Sequence, residues 1–239
     1  MQQYSGQTTA ATTQMQFFEQ FQIVGSDLNN AWSNIYETIL NDAENIINDA
    51  NVSNSPHYSG VAKILKAYTY QLAVDTWGSI PYSEAQKLAG NLKPKYDTDE
   101  SIYAESIKLL DQGIAEVNAQ TSTLSPGTNS TIFPGTFTTT KNNWIKLANT
   151  LKLRIYLHYS EKDAAFAKSN IDALVNSGAP LMSSNADSFQ MNFFDVANAR
   201  NPIDQFETNR VGNLVVNAKI ITMMNAKTDP RRQFYITQL

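Results

Sequence analysis

Two histidines, His57 and His158, are the only imidazoles in the chain, and they are too far apart to read as a metal-ligand pair. With no cysteine present, disulfides, thiolate zinc sites, iron–sulfur clusters and a cysteine nucleophile are excluded. There is no glycine-rich phosphate loop and no Gly-x-Ser-x-Gly elbow. Asp75 and Glu84 flank a turn and have the side chains of a glycosidase acid and base, but acid pairs at such spacing arise by chance in most chains. The more promising chemistry is ring stacking, by aromatic faces flanked by hydrogen-bonding side chains. Candidates for it are aromatics that no helical stripe claims. Trp32, Trp77 and Trp144 each fit a helix face or end and read as packing, and Trp77 beside Tyr82 reads as turn packing. Two segments pass the test. One carries Tyr4, Phe17 and Phe18; the other runs from Phe189 to Arg210 with Phe193, Phe194, Phe206, Asn209 and Arg210. The loop around Phe133 and Phe137 is a third candidate.

The elements that must position these residues are helical. Trp32, Ile35, Tyr36, Ile39, Leu40, Ala43, Ile46 and Ile47 recur at three- and four-residue steps, predicting a first helix after Asp27–Asn30. Turn formers from Asn51 to Pro56 end it. A second helix is expected from about Tyr58 to Trp77, with Val61, Leu65, Tyr68 and Leu72 on one side and Ala62, Ala67 and Ala73 on the other. Gly78 would stop it, and Ser79–Tyr82 must leave the helix because Pro81 restricts the residue before it to extended geometry. Asp97 and Glu100 read as a capping box for a third helix through Val117. Gln120–Thr140 is the longest irregular stretch. Trp144 to Ile155 marks a fourth helix. A fifth is capped by Ser160 or Asp163 and ends at Gly178. Leu181 to Arg210 reads as loop with one short strand, and Val211 to Asn225 as a last helix. Asn149 and Arg154 read as packing residues, and Asp229 and Arg231 as the holders of a turn.

Paired helices with almost no strand signal indicate an all-α, tetratricopeptide-like stack of antiparallel helices with long irregular loops, although no 34-residue period is present. Over 239 residues, 42 % are hydrophobic and only 17 % charged, against roughly 25 % charged in an average domain. A net charge of −4 and no basic stripe give no attraction for phosphate backbones, so no nucleic-acid partner is expected. No apolar run approaches the ~20 residues that span a bilayer, and Met1–Gly6 lacks the features of a signal peptide.

Five segments in order between Ala31 and Arg231 carry a resemblance. They are Trp32-Ser33-Asn34-Ile35-Tyr36 with Ala43-Glu44-Asn45-Ile46-Ile47; Asp75-Thr76-Trp77-Gly78-Ser79-Ile80-Pro81-Tyr82-Ser83-Glu84-Ala85; Pro94-Lys95-Tyr96-Asp97 with Ile102-Tyr103; the run Trp144 to Arg154; and Asn225 to Arg231. Together they resemble the SusD/RagB family of outer-membrane nutrient-binding lipoproteins, most closely its SusD-like branch. Ser79 stands where an acidic residue is common, and Arg232 where leucine usually follows Asp-Pro-Arg.

The resemblance implies one SusD-like helical domain over residues 1–239. Because family members are longer, it also implies a chain truncated at both ends relative to them, without the leader, the lipidated cysteine or the later paired helices. It implies a non-catalytic Bacteroidetes protein with no cofactor and no metal. That protein would be lipid-anchored at the outer membrane, surface-exposed, and would bind a polysaccharide or oligosaccharide for a SusC-like TonB-dependent barrel. Its ligand surface would draw on segments ahead of the first helix pair and beyond the repeat block, placing Tyr4, Phe17, Phe18, Phe206, Asn209 and Arg210 as ligand-binding candidates. Rings would lie on sugar C–H faces, with the amide and guanidinium on hydroxyls. The alternatives are a peptide-binding member of the same family and a helical scaffold that binds only protein; an α-helical glycoside hydrolase is the third rival.

Overall fold

The computed structural model describes residues 8–10, 20, 22–87, 90–196, 199–209, 211 and 214–235. Residues 30–192 form one compact unit, and residues 1–29 with 193–239 form another.

In the larger unit a short helix α1 (Asn29–Ser33) runs into a π-helical segment (Asn34–Ile39) and then into α2 (Leu40–Val52). Next come α3 (Pro56–Trp77), α4 (Asp99–Val117), α5 (Phe137–His158) and α6 (Ala164–Asn176). Local chemistry sets the ends. Pro56 occupies the first turn of α3, where its missing N–H is not needed. Gly78, at φ 73°, supplies the positive φ that ends α3. Asp163 accepts from the Phe166 amide at 2.9 Å and caps α6, and Gly178, at φ 68°, follows its end.

Successive helices pack antiparallel. Near the start of α3, Gly60 meets Gly113 and Val117 near the end of α4, while at the other end of α3 the Tyr103 hydroxyl donates to Asp75 at 2.5 Å. The same crossing recurs between α4 and α5, where Asp111 pairs with Lys152 at 2.6 Å and Tyr103 lies 3.2 Å from His158. Gly60 and Gly113 let two backbones approach where any side chain would intrude. Lys63 pairs with Glu116 beside this contact.

Two buried clusters hold the unit together. Ile64, Leu110, Val117, Phe133, Trp144, Leu147 and Ile155 belong to the first. Leu40, Tyr70, Ile80 and Ile102 form the second, with Trp32, Tyr36 and Trp77 packed on it. Each fully buried Leu, Ile or Val contributes about 1.5–3 kcal/mol relative to exposure. Trp144 is 2 % exposed, in keeping with a packing role. Trp32 and Trp77 are partly buried and meet edge-on at 5.3 Å.

Several details depart from the sequence reading. The cap of α4 is Thr98, whose hydroxyl accepts from the Ser101 amide at 3.3 Å. Asp97 instead accepts from the Tyr82 and Ser83 amides at 3.1 and 2.7 Å, tying a two-residue strand pair, Ile80–Pro81 with Tyr96–Asp97. The Gln120–Thr140 stretch is stitched down. His57 reaches the Ala119 carbonyl at 2.9 Å and Ser125 at 2.7 Å, and stacks on Phe137. Phe133 and Phe137 are 4 % and 8 % exposed, and both belong to the first buried cluster described above. Asn149 donates to the Pro180 carbonyl at 3.1 Å and fixes packing.

In the smaller unit, strand Thr8–Ala10 pairs antiparallel with Leu214–Val216. Helices α7 (Pro202–Asn209), α8 (Ala218–Ala226) and α9 (Arg232–Tyr235) complete it. The expected continuous helix over 211–225 is therefore a strand followed by a shorter helix, begun by Asn217 capping Lys219 at 2.9 Å. The expected loop-and-strand over 181–210 contains α7 instead. Asp229 grips Arg231 through its backbone amide and guanidinium at 2.6–3.2 Å, so this pair does hold a turn. The guanidinium holds the Asp229 carboxyl at about 2. Among the described residues no helix is long and apolar enough to cross a membrane.

Candidate functional site

The site is built around the start of α7. Pro202 takes the first helical position, and Asn201 accepts from the Ile203 amide at 2.9 Å, a cap-and-proline start. Gln205 ties back to the Arg200 carbonyl at 2.7 Å. Ahead of the helix, the Phe194 amide donates to the Ala199 carbonyl at 2.7 Å and closes a turn. This turn brings Asp195 to Arg200 from one side, while α7 brings Asp204 from the other. The Arg200 Nε lies 3.0 Å from Asp195 and 3.1 Å from Asp204.

Phe193, Phe194, Asp195, Arg200, Asn201 and Asp204 line a cleft of about 350 Å³, near the lower end of the range for small-ligand pockets. Phe193 is 40 % and Phe194 62 % exposed. Two adjacent phenylalanines held at the surface keep apolar faces in water that a folded core would otherwise cover. Surface ion pairs contribute only about 0–1 kcal/mol each, so the Asp195–Arg200–Asp204 arrangement adds little to the stability of the fold. The cleft offers stacking faces beside a cation and an amide, which suits a hydroxyl-rich ring.

Among the residues expected at a ligand surface, Phe206 and Asn209 lie on α7. Phe206 is half-buried and Asn209 is exposed. The Asn209 amide donates to the Gln205 carbonyl at 2.9 Å. Tyr4, Phe17, Phe18 and Arg210 lie outside the described residues. Phe193 and Phe194, singled out in the same segment, line the cleft. Arg200, Asp195, Asn201 and Asp204 were not anticipated. Their signal was present in the four-residue step from Arg200 to Asp204 across an Asn-Pro helix start.

The residues weighed for catalysis or metal binding are engaged elsewhere. Asp75 accepts from Tyr103 and lies 3.2 Å from His158 and 3.4 Å from Arg154. Glu84 accepts from Asn91 at 2.9 Å and from the Lys95 amide at 3.1 Å, bonds that hold its carboxyl below the usual range. No group of three His, Asp or Glu side chains capable of holding a metal occurs among the described residues.

The profile of a SusD-like family, described as starch-binding and associating with the outer membrane, matches residues 1–239. A SusD/RagB family protein from Bacteroides thetaiotaomicron aligns with a TM-score of 0.80 at 23 % identity, covering 96 % of this chain and 47 % of that one. A chitin-binding SusD homolog from Flavobacterium johnsoniae gives 0.76 at 23 %, over 96 % and 46 %. A SusD homolog from Bacteroides uniformis gives 0.70 at 27 %, over 85 % and 41 %. The chain thus spans about half the length of the solved proteins it matches. No functionally curated protein matches it. With the family profile covering every residue and the paired-helix fold shared with these structures, the chain belongs to the SusD-like family.

Proposed function

We propose that this protein binds an oligosaccharide or polysaccharide at the bacterial cell surface, held at the outer membrane by a lipid anchor, and passes it unaltered to a TonB-dependent barrel. The observation that carries the reading is the family match along the whole chain, joined to a surface cleft whose apolar walls are the exposed Phe193 and Phe194. Chitin binding by a homolog of the same fold supports a carbohydrate ligand. Asp75 and Glu84 are committed to structural hydrogen bonds, which favours binding over glycosidic cleavage. We assign the ligand surface to Tyr4, Phe17, Phe18, Phe206, Asn209 and Arg210, and add to it Phe193 and Phe194 of the cleft.

Affinity then comes from ring contact and a few hydrogen bonds, with little contribution from net charge, and varies weakly with salt. Affinity electrophoresis of the full-length soluble protein in gels containing starch or glycol chitin tests this. Retardation by one polymer is expected, and Phe194→Ala should weaken it about tenfold, the loss of roughly 1.4 kcal/mol. Migration unchanged in every polysaccharide, with selective binding of peptides, would move the protein to a peptide-capturing role.

A further inference from the structure

We infer that the helical unit carries a second saccharide-binding groove, where α1 and the π-helical segment face the loop between Ile80 and Asp97. It takes a short stretch of an oligosaccharide, and it rests on the carbohydrate reading above. The groove encloses about 740 Å³, well within the range of small-ligand sites. One wall is an aromatic strip. Trp32 and Tyr36 stand one turn apart with ring centroids at 4.6 Å and planes tilted by 35°. Trp77 braces Trp32 edge-on. The Tyr36 hydroxyl donates to the Pro81 carbonyl at 2.7 Å, which fixes the ring and leaves its apolar body to the groove. Tyr96, 64 % exposed, also lines the groove.

The groove also presents polar groups: the side chains of Glu37 and Asn41 and the Tyr96 hydroxyl line it. A carboxylate, an amide and a phenol provide the acceptors and donors that sugar hydroxyls require, set among faces that suit sugar C–H groups. The described part of the loop is pinned in place. Asp97 pins the loop through the Tyr82 and Ser83 amides, Glu84 pins it through Asn91 and Lys95, and Gln86 donates to the Tyr36 carbonyl at 3.2 Å. A site whose walls are already ordered loses less entropy on binding. Tyr36 and Glu37 lie on the π-helical segment, where the Leu40 amide reaches back to the Ile35 carbonyl. Such segments are rare and concentrate at functional sites.

The test is calorimetry on the full-length soluble protein, using a short oligosaccharide of whichever glycan the protein binds, with tryptophan fluorescence followed in parallel. Two sites are expected for the parent. Tyr96→Ala, an exposed position that leaves the core intact, should remove one of them and weaken polymer binding at least tenfold. The fluorescence change assigned to the groove should vanish in Trp32→Phe. A single site that is lost in Phe194→Ala and indifferent to Tyr96→Ala would overturn the second groove and leave the carbohydrate reading standing. Failure of every glycan to bind would remove both. A Trp32 signal that answers peptides and not sugars would overturn the saccharide assignment.

Discussion

Replacing Gly113 by alanine tests how the central helices meet. A Cβ at Gly113 would sit 2.7 Å from Ile64 Cγ1 and 2.9 Å from the Gly60 carbonyl oxygen, where ordinary contacts begin near 3.4 Å. Ile64 is 0 % exposed and has no space to turn into, and the Gly60 oxygen is backbone. Relief therefore requires α3 and α4 to separate by several tenths of an ångström. Forcing one extra methyl into a packed site costs about 1–3 kcal/mol, against a gain of up to about 1 kcal/mol from replacing glycine in a helix interior. The net expectation is destabilisation by roughly 1–2 kcal/mol, and each kcal/mol lowers Tm by about 2–4 °C in a chain of this size. Thermal unfolding followed by far-UV circular dichroism measures it. Gly90→Ala, whose Cβ would find nothing nearer than 4.0 Å, serves as the control and should hold Tm. Gly60→Ala should behave like Gly113→Ala. A Gly113→Ala protein as stable as the parent, or more so by the helix-propensity gain, would refute the close crossing.

Gln71 is 0 % exposed, and neither its amide nitrogen nor its carbonyl oxygen finds a partner. Gln71→Leu should raise stability by about 1–2 kcal/mol in urea titrations, because a buried unsatisfied polar group costs about 1–3 kcal/mol; a lowered midpoint would show that the amide is satisfied. Asp187 accepts from Lys146 at 2.6 Å and from the Ser183 and Ser184 amides at 3.1 Å, contacts that hold its carboxyl well below the usual range. Since the unfolded chain binds that proton more readily, the contribution is complete above about pH 4 and fades as pH falls below it. The stability gap between the parent and Asp187→Asn should therefore narrow from pH 6 to pH 3, and a constant gap would contradict the assignment.

Periodicity disclosed the helices because their buried faces are continuous. Leu40, Ala43 and Ile47 in α2, and Ile102, Leu110 and Val117 in α4, are core residues at the spacings that announced them. Their ends were legible where one residue decides locally, as at Gly78 and Asp163. The misread positions depend on distant partners. By type Asp97 is a better cap than Thr98, but it is drawn away by the amides of Tyr82 and Ser83. Strand Leu214–Val216 is three residues long and pairs with Thr8–Ala10, a partner no local window contains. Helix α7 was lost among phenylalanines without a period, although Asn201-Pro202 marked its start. The requirement that a ligand aromatic lie off every helical stripe led to Phe193 and Phe194. The same requirement passed over Trp32 and Tyr36, because partly buried rings serve the packed cluster and line a groove together.

The most direct test of the central claim is an array of glycans and peptides probed with the full-length soluble protein at low and physiological salt. Capture of a carbohydrate by aromatic contact predicts retention on one glycan class, little changed by salt and clearly weakened when Phe193 and Phe194 are both replaced by alanine. Binding to peptides alone, or silence on every glycan while a protein partner is retained, would contradict it.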